Sequence, residues 1–134
     1  MRSACGFALL VLALGGCPSP SGGECTQDRD CDSGEVCARD GWCSSPASVR
    51  QVTVTWTVNG AAASAATCSA HPDLFIAYHA GPGDQLGFAP VPCHIGQFNV
   101  DKLPSRYTVV ELGEESGPSM TKAINGASVA FDLR

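Results

Sequence analysis

Four cysteines, Cys25, Cys31, Cys37 and Cys43, stand at a constant interval of six in a stretch whose only large apolar members are Val36 and Trp42. Two such side chains cannot build a core, so this segment depends on cross-links for any fixed structure. Structural zinc sites bring thiolates in as Cys-x(2–4)-Cys pairs on tight turns, whereas every spacing here is Cys-x5-Cys. The expectation is two disulfides and no metal. Each closes a loop of roughly a dozen residues and contributes on the order of 3 kcal/mol. Four cysteines leave three connectivities open.

The chain begins with one positive charge at Arg2, an apolar run over residues 7–14, then Gly15, Gly16 and Cys17. That is the layout of a secretory signal. As a helix the run spans about 12 Å, far short of the ~30 Å hydrocarbon core, so it reads as a leader and not as a membrane span. Leu14-Gly15-Gly16-Cys17 resembles a bacterial lipobox, which implies cleavage before Cys17 and lipidation of its thiol. The acyl chains would anchor the mature protein stably. Pro18, not Asp, follows the cysteine, which fits an outer-membrane lipoprotein of a diderm cell. Residues 17–24 are Pro/Gly/Ser-rich and unpatterned, a tether.

Removing the leader takes Cys5, and lipidation takes Cys17. Six cysteines then remain, an even number in an oxidising compartment. Eight Lys and Arg face thirteen Asp and Glu, a net −5 that becomes −6 without Arg2. Such a chain lacks the basic footprint of a nucleic-acid binder. Its expected partners are a membrane, through the anchor, and a protein or glycan.

Cys25-x2-Asp28-x-Asp30-Cys31-x2-Gly34-x2-Cys37-x5-Cys43 resembles the short cysteine-rich repeats that follow the anchor in bacterial lipoproteins, and the start of Dickkopf-type modules. The resemblance implies that Cys25 pairs with Cys37 and Cys31 with Cys43. Asp28, Asp30 and Asp32 alternate as in a calcium loop, but Ser33 and Arg39 stand where an EF-hand needs Gly and Glu, so they read as a solvated acidic loop. Trp42, between Gly41 and Cys43, has no core to enter and is the candidate contact residue.

After Ser44-Ser45-Pro46 the pattern becomes that of strands, from residue 49 to the end. Val52, Val54, Trp56 and Val58 alternate with Thr53, Thr55 and Thr57, so one face is buried and the other hydroxylated. Asn59-Gly60 ends this strand, and residues 61–66 read as no more than a turn or one helical coil. Further strands are expected at 74–79, 85–91 (an edge, given its prolines), 97–101, 106–112, 120–124 and 128–133. Asn125-Gly126 is a strong hairpin signal between the last two. The fold class expected is mainly β, a seven-stranded Ig-like or prealbumin-like sandwich preceded by a small disulfide-rich module. Gly96-x-Phe98-x-Val100-x2-Leu103-Pro104-x2-Tyr107-x-Val109 resembles the signature of transthyretin-like and carboxypeptidase-regulatory-like sandwiches, with Ser105-Arg106 where the signature has Gly. The resemblance implies a non-catalytic support or adhesion domain. Cys68 and Cys93 are the remaining pair, expected to staple it with roughly 3 to 4 kcal/mol.

Little in the sequence points to chemistry. His71, His79 and His94 have no metal-ligand spacing, although a zinc site of His79, His94 and Asp84 is conceivable. Ser116 sits one residue late for a nucleophile elbow, so residues 113–117 read as a hairpin loop. No phosphate cradle precedes a helix, and no cofactor is expected. The reading is a non-enzymatic, lipid-anchored cell-envelope protein. Two alternatives are a peptidase inhibitor presenting Arg29 or Arg39, and a carbohydrate-binding sandwich using Tyr78, Phe88 or Trp42.

Overall fold

A computed structural model describes residues 23–134, and the expected leader, Cys17 and most of the expected tether lie outside them. The protein is mainly β. In the cysteine module a 3-10 turn, Asp28–Asp30, precedes a two-stranded ribbon of β1 (Val36–Cys37) and β2 (Cys43–Ser44). Cys25 is bonded to Cys37 and Cys31 to Cys43, the pairing implied by the four-cysteine resemblance. A second 3-10 turn, Pro46–Ser48, leads into β3 (Val49–Val58).

β3 is the spine of the first sheet. β10 (Ser128–Leu133) runs parallel to it on one flank. β7 (Gln97–Pro104) and the two-residue β4 (Ala61–Ala62) pair antiparallel along the other. The second sheet is antiparallel throughout, in the order β6 (Asp84–Pro92), β5 (Asp73–Gly81), β8 (Val109–Gly113), β9 (Ser119–Ala123). Alternation delivers one face of each sheet to a common core: Val52, Val54, Trp56 and Val58 from β3 meet Leu74, Ile76 and Tyr78 from β5 and Val110 and Leu112 from β8. The indole N–H of the buried Trp56 donates to the Cys93 carbonyl at 2.7 Å, beside the Cys68–Cys93 disulfide.

Two expectations need correction. Residues 59–62 continue past a two-residue turn with Asn59 and Gly60 both at positive φ, so Ala61–Ala62 folds back on β3 as an eighth strand in these two sheets. Asn125-Gly126 does not close a hairpin. β9 pairs with β8 and β10 with β3, so the chain crosses between sheets there. Val129, Phe131 and Leu133 gain more by lying beside β3 over the core than β10 would gain from pairing with β9, whose outward residues are polar.

The apolar spacing of β7 breaks the two-residue period. Val100 and Leu103 both face inward, and between them Asp101 and Lys102 stand opposite the single Gln51. This is a β-bulge, with Lys102 in the left-handed region at φ 51°. It turns two consecutive charged side chains outward together.

Candidate functional site

The bulge is where the cysteine module docks. The Lys102 ammonium bonds both carboxylate oxygens of Asp28 at 2.7 and 2.8 Å, and the Lys102 carbonyl accepts from the Arg39 amide at 3.1 Å. Arg39 reaches Asp101, its Nε donating to Oδ1 at 2.8 Å. A third link comes from Arg106, which donates to Asp40 at 2.6 Å and to Asp84 at 2.9 Å and lies over the Tyr107 ring. The Tyr107 hydroxyl, also donating to Asp84, completes the group. Asp28, Asp84 and Asp101 are held below the ordinary carboxyl value of 3.8, first by the hydrogen bonds from Lys102, Arg106 and Arg39 respectively.

These links reach Trp42. The Asp40 side chain, only 7 % exposed, also accepts from the Trp42 amide at 3.3 Å. The Trp42 carbonyl accepts from Ala38, and Trp42 bridges Glu24 across a strand-like contact. Its backbone is thus held on both sides, while the indole stands 48 % exposed. It forms one end of a shallow groove of about 400 Å³ with Glu24, Thr26, Asp30, Asp40 and Gly41. A second depression of about 280 Å³ shares Glu24 and Asp30 and adds Asp32 and Glu35. Among the described residues, no basic side chain lines either.

The other residues singled out in the sequence are dispersed. Asp28 is taken by Lys102 and the Cys37 amide, and Asp30 by the amides of Thr26 and Gln27 and the Thr26 hydroxyl, so the alternating aspartates do not converge. Those hydrogen bonds, first the one from the Thr26 amide, lower the Asp30 carboxyl as well. His79 pairs with Glu111 at 2.9 Å and Asp84 with Arg106, which leaves the zinc trio unassembled; His71 pairs with Glu114. The three cysteine sulfurs that crowd together, those of Cys25, Cys31 and Cys43, are all in disulfides. Tyr78 is fully buried, and burial pushes its hydroxyl up to about 12, so it presents no sugar platform; Phe88 packs against it and Phe98. Arg39 is engaged by Asp101, whereas Arg29 is exposed on its 3-10 turn.

Comparison with family models, curated proteins and solved structures finds no match to this chain. The site therefore stands on its own geometry. What reading residues in order missed is the docking itself, whose side-chain partners lie 62 to 74 residues apart. A further cleft of about 400 Å³ lies at the far end of the sandwich, lined by His71, Glu114, Met120, Lys122, Asp132 and Arg134. There Lys122 donates to the Ala130 carbonyl at 2.6 Å, covering the outer edge of β10.

Proposed function

We propose that this chain is a lipid-anchored cell-envelope protein whose head carries a non-catalytic binding face centred on Trp42. The observation that carries the reading is an exposed indole whose backbone is pinned on a module that is itself fastened to the sandwich. A rigid aromatic presented this way loses little conformational entropy when a partner covers it. The anchor rests on the leader and Cys17, and the likeness to lipoprotein cysteine repeats supports the same placement. Arg106, at the position where the sandwich signature has Gly, serves docking and not catalysis.

Two arms test this. Labelling cells with an alkynyl fatty acid marks the wild-type chain in the membrane fraction, and Cys17→Ser loses both label and sedimentation. A photo-crosslinking residue at position 42 yields a discrete adduct that the same residue at exposed Thr121 does not. Equal crosslinking at the two positions sinks the binding face; an unlabelled wild-type chain sinks the anchor.

A further inference from the structure

We infer that the Trp42 groove receives a cationic side chain, arginine or lysine, carried on an extended basic segment of a partner protein. The inference rests on the proposed binding face and names its occupant. The face of an indole is electron-rich and attracts a cation laid over it. Glu24 and Asp30, both exposed, line the groove with Trp42, and the adjoining depression adds Asp32 and Glu35. Arg39 is engaged by Asp101 and Arg106 by Asp40 and Asp84, while Arg29 stands exposed on its 3-10 turn and lines neither depression. Asp40 is thus already neutralised and covered, and the field over the groove comes from the other carboxylates.

An aromatic surface lined by acids and, among the described residues, by no basic side chain repels an anionic partner and offers a neutral one only stacking. A guanidinium satisfies both parts of the site, since its plane stacks on the indole while its edge donates to a carboxylate. Because the two depressions share Glu24 and Asp30, one cation fills the Trp42 side and a second the Asp32 side. Alternate residues of an extended segment, about 7 Å apart on one face, suit that arrangement.

The test uses the full chain in neutral detergent and four fluorescent decapeptides, alternating Gly-Arg, Gly-Lys, Gly-Glu and Gly-Ser, read by anisotropy at low and high salt. The Gly-Arg peptide binds most tightly, Gly-Lys less so, and the other two do not bind. Trp42→Ala weakens Gly-Arg binding roughly threefold to thirtyfold, and Trp42→Phe retains most of it. The triple variant Glu24→Gln, Asp32→Asn, Glu35→Gln weakens it further and flattens its salt dependence. Equal binding of Gly-Ser or Gly-Glu overturns the inference. So does Gly-Arg binding that is absent, or that is indifferent to Trp42→Ala, which would mark a diffuse acidic surface. A position-42 crosslink that persists in either case leaves the parent reading standing.

Discussion

Replacing Arg106 with methionine removes the cation that Asp40 and Asp84 share while keeping a long stem over the Tyr107 ring. The Asp40 side chain is 7 % exposed, so its carboxylate regains little hydration when the guanidinium goes. Losing a hydrogen bond to a charged group in that setting costs about 1.5–3 kcal/mol, a roughly 10- to 150-fold rise in the population with the module undocked. The Arg39 amide reports that population, because its bond to the Lys102 carbonyl joins module to sandwich. In native-state hydrogen exchange, R106M accelerates exchange at Arg39 by this factor and leaves the core amides of Val54 and Leu112 unchanged. Unaltered Arg39 protection would refute the view that Arg106 fastens the module. Equal acceleration everywhere would mean that module and sandwich open only by global unfolding.

The remaining expectations concern acid, the core and the staple. Asp28 and Asp101 have carboxyls depressed below 3.8 by partners across the seam, Lys102 and Arg39, so docking is fully supported above that value and lost as pH falls through the lowered ones. Arg39 protection, corrected for intrinsic exchange, should stay level from neutral pH to about 5 and collapse only in stronger acid; a decline between pH 7 and 5 would implicate other groups. Trp56→Phe strands the Cys93 carbonyl and should cost about 2 kcal/mol or more in urea unfolding; a loss under half of that would show the bond at 2.7 Å to be dispensable. Replacing Cys68 and Cys93 together with alanine opens a cross-link between residues 25 apart and should cost roughly 3 to 4 kcal/mol, with a larger m-value from a less constrained unfolded chain.

The parts of the fold legible in the sequence are those governed by local periodicity. Val52 to Val58 alternate with threonines, and the strand is buried on that face; residues 85–91 carry prolines, and β6 lies at an edge. What escaped is set by distant partners. Asn125-Gly126 has hairpin chemistry, yet turn chemistry says only that the chain reverses, not which sheet receives it. The choice belongs to β3, whose flank beside residues 53–58 is open to a parallel strand. Nothing within the four-cysteine stretch announces a docking face. Two signals were present. The Val100-x2-Leu103 spacing departs from a two-residue period and marks the bulge, and Arg106 stands where the sandwich signature has Gly. Among the alternating aspartates, Asp28 is not merely solvated, because its carboxylate satisfies donors that only the folded chain brings near.

The central claim is that module and sandwich tumble as one body, so that Trp42 is presented at a fixed place. Backbone 15N relaxation on the full chain measures this directly. The amides of Cys37, Trp42 and Cys43 should share one rotational correlation time with those of Val54 and Leu112, with order parameters near ~0.85. A shorter correlation time confined to the module would contradict the account and return the cysteine-rich segment to the role of a loose spacer.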